Sequence, residues 1–162
     1  MRNKDFTILV ADDNTENLRM VSTILLSEGY KLALVHDGDG VLRITDENKI
    51  DLILLDILMP GPMNGFQVCR LLKNNIKTKD IPVIFLSARS DGEDIIEGFK
   101  IGGADFITKP FDKQELLARV GNHIRQKFLI DELNDRIKYL EHSRADFMSW
   151  LHGLANSIEP IK

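Results

Sequence analysis

Leu52-Ile53-Leu54-Leu55-Asp56 is a run of four aliphatic residues closed by a carboxylate. Four residues are too few for a helix, and the lack of polar alternation marks a strand buried on both faces, the habit of a parallel sheet. Similar runs flank it at residues 7–11 (TILVA), 32–35 (LALV), 83–86 (VIFL) and 106–107 (FI). Between them the apolar period lengthens, predicting helices over 17–28, 40–48, 65–75, 92–101 and from 112 onward. Gly29 and Gly102-Gly103 act as C-terminal stops. Five strands alternating with five helices imply a parallel sheet covered on both faces, because right-handed crossovers lay the helices against it. The fold class is α/β, a doubly wound five-stranded parallel sheet in the order 2-1-3-4-5, followed by a long C-terminal helix.

The polar residues at the carboxyl ends of these strands carry the chemistry. Strand 1 ends in Asp12-Asp13, strand 3 in Asp56, strand 4 in Ser87 and strand 5 in Lys109. Open α/β sheets bind ligands outside those ends, where the strand order reverses, so the topology gathers the five residues at one crevice. Any one of them alone reads as a helix cap or a turn residue; three carboxylates, a hydroxyl and an ammonium together do not. Clustered carboxylates repel and raise one another's pKa unless a cation neutralises them. Hard oxygen donors with space for water and phosphate suit Mg²⁺, and with no histidine or thiolate beside them the set does not suit zinc. An aspartate can itself attack phosphorus, and phosphoryl transfer then needs mainly alignment and charge neutralisation.

Asp12-Asp13, Asp56 in DILMP, Ser87-Ala88 and Lys109-Pro110-Phe111 together resemble the response-regulator receiver domains of two-component signalling, over about residues 7–126. The resemblance implies a flavodoxin-like fold with Asp56 as phosphoacceptor, and a metal held by Asp12, Asp13, Asp56 and the backbone carbonyl of Leu58. It further implies that Ser87 and Lys109 contact the phosphoryl group, that Phe106 is the aromatic switch residue, and that Lys109-Pro110 is a cis peptide. The phosphodonor would be a histidine kinase or a histidine phosphotransfer protein. One loop and two residues depart from the usual pattern. The loop Met59-Pro60-Gly61-Pro62-Met63-Asn64-Gly65 is one residue longer than MPGMDG and is expected to bulge outward. Phe106 lacks the hydroxyl of the commoner tyrosine, and serine stands for threonine at Ser87. Phosphorylation adds charge and acceptor oxygens that would draw Ser87 and Lys109 inward, moving strands 4 and 5 and changing the surface of helix 4, strand 5 and helix 5. A plain core aromatic is the alternative reading of Phe106, and Met20, Met59 and Met63 read as packing residues.

Beyond residue 126 the pattern changes. Ile130, Leu133, Ile137, Leu140, Arg144, Phe147, Leu151, Leu154 and Ile158 recur at alternating spacings of three and four, an a/d heptad interrupted only by Arg144. The reading is a receiver over 1–126 and a helical coiled-coil extension over 127–162 that makes a homodimer; a lone helix folding back on the domain is the alternative. His152 lies in DFMSWLH, which loosely resembles the start of a histidine-kinase dimerisation helix. Gly153 stands where that family has an acidic residue and Pro160 is too far downstream, so a phosphoacceptor role for His152 is the minor reading beside a solvated helix position. His36, His123 and His142 show no metal spacing.

The wider composition agrees. The 162 residues, net charge −4 and single cysteine, Cys69, exclude an internal disulfide and argue against non-specific binding of nucleic acid. No apolar run approaches a membrane span or a signal-peptide core. A cytoplasmic signalling protein is expected, not a turnover enzyme, either complete in itself or as the receiver piece of a larger hybrid kinase or multi-domain regulator. Two alternatives come from other classes. An aspartyl-phosphate hydrolase would place Asp-x-Asp after strand 1, which Asp12-Asp13-Asn14 is not. A non-signalling coiled-coil adaptor would have no need of the full acidic, hydroxyl and lysine set.

Overall fold

The computed structural model describes residues 2–88 and 92–157. Five parallel strands, β1 (Thr7–Ala11), β2 (Lys31–Val35), β3 (Leu52–Asp56), β4 (Val83–Ser87) and β5 (Asp105–Thr108), form one sheet in the order β2-β1-β3-β4-β5. This is the expected doubly wound topology. β3 and β4 are buried along their whole length, as central strands covered on both faces must be. The edge strand β2 is less covered, with Lys31 and Leu34 exposed and only Val35 fully buried. Ala11 registers with Val35 and with Leu55, Asp56 with Leu86, and Ser87 with Thr108, so the polar strand ends come level at one rim of the sheet.

The helices are α1 (Thr15–Ser27), α2 (Gly38–Glu47), α3 (Gly65–Lys73), α4 (Gly92–Lys100) and α5 (Lys113–Ser157). α1 and α2 start two residues earlier than the apolar period predicts, because their polar first turns are organised by caps. The Asn14 side chain accepts from the N–H groups of Glu16 and Asn17, and the Asp37 side chain from that of Gly40. α3 opens on a reciprocal capping box between Asn64 and Gln67. A short 3-10 turn at Asn3–Asp5 precedes β1, in a polar stretch with no apolar period to announce it. One face of the sheet packs Leu9, Ile53, Leu55 and Phe85 against Phe66, Val68 and Leu72 of α3. Met59 joins this core and Met63 packs at its edge. Met20 does not: it is 46% exposed on α1, since its position points away from the face that buries Leu18, Val21 and Leu25.

The chain divides into two compact units, Met1–Lys127 and Phe128–Lys162. In the second, the heptad residues Ile130, Leu133, Ile137, Leu140, Phe147, Leu151 and Leu154 all lie on α5 and are all exposed, and Phe147 stacks with Trp150 at 5.8 Å between ring centroids. Ile158 and Pro160 lie outside the described residues. Among the described residues, no helix is long and apolar enough to cross a membrane.

Candidate functional site

Asp12, Asp13 and Asp56 converge as the strand order requires: one carboxylate oxygen of each lies within 4.8 Å of the others. Asp12 and Asp56 are buried and Asp13 is exposed, an arrangement with two fixed walls and one open side. Lys109, just beyond β5, reaches into the cluster, its Nζ 2.7 Å from Asp12 Oδ2 and 3.0 Å from Asp56 Oδ2. The other oxygen of Asp56 accepts the N–H of Leu58 at 3.2 Å. Three carboxylates against one ammonium leave an excess of negative charge in a half-closed pocket. Burial is the main reason the Asp56 carboxyl is pushed up to about 6; Lys109 and the Leu58 N–H pull it back, and Asp12 adds to the rise. For Lys109, burial works to lower the pKa, but Asp12 and Asp56 outweigh it and hold the ammonium above its usual range.

Ser87 is buried at the end of β4, and its carbonyl accepts the Lys109 N–H at 2.7 Å. The hydroxyl-bearing and the ammonium-bearing strand ends are thus tied through the backbone. Lys109-Pro110 is cis. Leu58 stands next to Asp56 on the β3–α3 loop, with its side chain exposed. That loop turns outward as its extra residue suggested. Pro60, Gly61 and Pro62 are exposed, Gly61 sits at φ +100°, and no atom lies within 4 Å of where its Cβ would be. The loop then returns hard against the site. A Cβ on Gly65 would meet the Asp56 carbonyl, and the Gly65 N–H donates to Ile57 O at 2.8 Å, so the insertion is absorbed between two fixed ends.

Phe106 is half-buried on β5, its ring 5.2 Å from Phe85 and 5.4 Å from Phe99. It rests on the bare backbone of Gly98 in α4, where a Cβ would lie 2.3 Å from Phe106 Cζ and 3.1 Å from Phe85 Cε2. Gly98→Ala is therefore expected to expel the Phe106 ring. Overpacking of about 1–3 kcal/mol exceeds the gain in helix propensity of at most about 1 kcal/mol, leaving a net loss of about 1 kcal/mol. Urea unfolding measures the loss and aromatic proton shifts report the ring; an unmoved ring would show that this contact gives way elsewhere.

Two groups of residues escaped the sequence reading. Asn14 and Asn17 both donate to Asp12: the Asn14 N–H to Oδ1 at 2.9 Å, and the Asn17 amide to Oδ1 and Oδ2 at 3.3 and 3.1 Å. Their signal was present in the polar first turn after Asp12-Asp13. Asp105, beside Phe106, takes Arg119 Nη1 on one oxygen at 2.7 Å and His123 Nε2 on the other at 3.1 Å, both from α5. Burial works to raise the Asp105 carboxyl, but the Phe106 N–H, His123 and Arg119 outweigh it and hold it below the usual range. His152 is exposed, and its Nδ1 lies 3.1 Å from the Met148 carbonyl one turn back on its own helix.

The three carboxylates fit a magnesium ion: all their donors are hard oxygens, two are fixed by burial, and the neighbouring ammonium leaves their charge incompletely balanced. The response regulator receiver domain matches residues 8–121. The response regulator PleD of Caulobacter vibrioides is 43% identical over 129 residues, which is 80% of this chain and 28% of PleD. The transcriptional regulatory protein YvrH of Bacillus subtilis is 36% identical over 82% of this chain and 55% of its own length. The chain thus spans between about a quarter and a half of these curated relatives. Among solved structures, the signal receiver domain of a signal transduction histidine kinase from Syntrophus aciditrophicus superposes with a TM-score of 0.69 at 33% identity, over 75% of this chain and 91% of that one. By sequence match, topology and site together, the chain belongs to the response regulator receiver domain family of two-component signalling.

Proposed function

We propose that residues 1–126 accept a phosphoryl group on Asp56 from a phosphohistidine of a histidine kinase or phosphotransfer protein. The observation that carries this reading is Lys109 Nζ lying between Asp12 and Asp56 at the mouth of a three-carboxylate cluster. An Asp56 oxygen attacks phosphorus, the phosphorus–nitrogen bond breaks, and its electron pair returns to the departing imidazole. Asp12, Asp13, Asp56 and the Leu58 carbonyl would hold Mg²⁺, which would supply charge neutralisation for the phosphoryl oxygens. Lys109 leaves its carboxylate partners to pair with the new anion, and Ser87 donates its hydroxyl. Because the Lys109 N–H is bonded to the Ser87 carbonyl, the two groups draw β4 and β5 together. Phe106 then leaves its seat on Gly98 and Phe99 and turns inward into the space this movement vacates, altering the α4-β5-α5 surface that a partner reads.

Residues 127–162 extend the reading to a homodimer. With Ile130 and Ile137 at a and Leu133 and Leu140 at d, a parallel in-register pair places Arg136 at g opposite Glu141 at e of the other copy, a favourable charge pair. Arg144 occupies an a position at some cost in stability, fixing register while its head reaches solvent. The protein acts as a signalling switch, not on a separate substrate.

The deciding experiment is the intact mass of the chain after exposure to a small phosphodonor with and without Mg²⁺. One added phosphoryl group appearing only with the metal is expected. No addition in either condition, or addition that ignores Mg²⁺, would refute the proposal.

A further inference from the structure

Asp12 is held from two separate elements of the fold. From the end of β5, Lys109 approaches its Oδ2 at 2.7 Å. From the start of α1, the Asn14 N–H and the Asn17 amide approach at 2.9 to 3.3 Å. In an ordinary capping box the third helical residue returns its side chain to the N–H of the cap residue. Here Asn14 is the cap, and its own N–H is already given to Asp12. The third helical residue, Asn17, reaches one step further back and lays its amide nitrogen across both carboxylate oxygens. A carboxylate only accepts, so the nitrogen must face it.

We propose that Asn17 is a positioning residue for the cation site, fixing the plane of the Asp12 carboxylate against the pull of Lys109. The inference rests on reading the acidic cluster as a Mg²⁺ site. Lys109 is drawn to the same Oδ2 that Asn17 touches, and it also holds Asp56. Without the Asn17 amide, the Asn14 N–H still holds Oδ1 but Oδ2 is left to the ammonium alone, and a cation must then undo that pair before it can bind. With Asn17 in place the carboxylate stays spread between two donors, and the metal displaces a shared contact instead of a dedicated one. Partners of this outer kind that orient ligating carboxylates typically carry a tenfold or larger effect on metal affinity.

Calorimetric titration of the full chain with Mg²⁺ at 25 °C, without phosphodonor, tests this. Asn17→Ala and Asn17→Leu are each expected to weaken Mg²⁺ binding about tenfold, while Thr15→Ala on the same turn leaves it unchanged. A purely structural Asn17 would change melting temperature but not the affinity of the folded chain. In a Lys109→Ala background the effect of Asn17→Ala is expected to shrink below about threefold, because the opposing pull has gone. Wild-type affinity in both Asn17 variants would overturn the role, as would a full tenfold loss that persists without Lys109. If the wild-type chain binds no Mg²⁺, the reading of the cluster falls together with this role. Binding by wild type and variants alike removes the role alone.

Discussion

Asp56→Asn is expected to take up no phosphoryl group under conditions that modify the wild-type chain, and to be the more stable protein of the two. The first result follows from the chemistry, since an amide oxygen is a poor nucleophile and no other carboxylate of the cluster stands at the end of the central strand. The second follows from burial. The Asp56 carboxyl rises from its usual 3.8 to about 6 on folding, so the folded chain binds this proton more tightly than the unfolded chain does. That group therefore favours folding below about pH 4, and its contribution is lost as pH rises through about 6. The shift corresponds to at most about 3 kcal/mol, and the Asn oxygen can still accept from Lys109, so a gain of about 1–3 kcal/mol is expected at pH 7.5 without divalent cations. Intact mass and urea unfolding across pH check the two halves. The stability gap should close below about pH 4; a gap that is constant with pH would trace the gain to packing instead of charge. Uptake by the variant at the wild-type rate would move the acceptor elsewhere.

Replacing both Ile137 and Leu140 by Asp is expected to turn a dimer into a monomer while leaving phosphorylation of Asp56 intact. These residues are the second a and d pair of the register, and both are exposed in the single chain. Burying a side chain of this size contributes about 1.5–3 kcal/mol, so the four positions in a dimer account for about 6–12 kcal/mol before the charges add their own penalty. Since each 1.4 kcal/mol is a factor of ten, association should weaken by at least about ten-thousandfold. Light-scattering masses at tens of micromolar decide the matter, together with a version ending at Gln126. A wild-type monomer at those concentrations would reject the dimerising extension.

Much of the receiver fold was legible because its strands announce themselves twice, by an apolar run and by the polar residue that ends it. Leu52–Asp56 and Val83–Ser87 are the clearest cases, buried throughout and level in register at their functional ends. Helix starts were less legible, since the first turns of α1 and α2 are polar and are set by Asn14 and Asp37, not by apolar period. The convergence of Asp12, Asp13, Asp56 and Lys109 followed from topology alone. The grip of Arg119 and His123 on Asp105 did not, because it depends on side-chain reach between elements 14 and 18 residues apart. Asn17 was hidden for another reason: at a helix start an asparagine normally serves the helix, and here it serves the strand before it. The contact of Phe106 with Gly98 pairs two residues from different elements, and one of them has no side chain to signal its role.

The grip on Asp105 has a thermodynamic corollary. Asp105 adjoins Phe106 on β5, while Arg119 and His123 belong to α5, so any rearrangement of β5 that accompanies phosphorylation must also change the free energy of that ionic contact. Linkage would make the relation reciprocal: a binding partner that favours one geometry of Arg119 and His123 would shift the proposed phosphorylation equilibrium at Asp56 by the same factor that phosphorylation would shift the partner's affinity. If Asp56 is phosphorylated as proposed, a listener on α5 would also be an effector of that aspartate, and the occupancy of Asp56 would report the abundance of the listener as well as the activity of the donor.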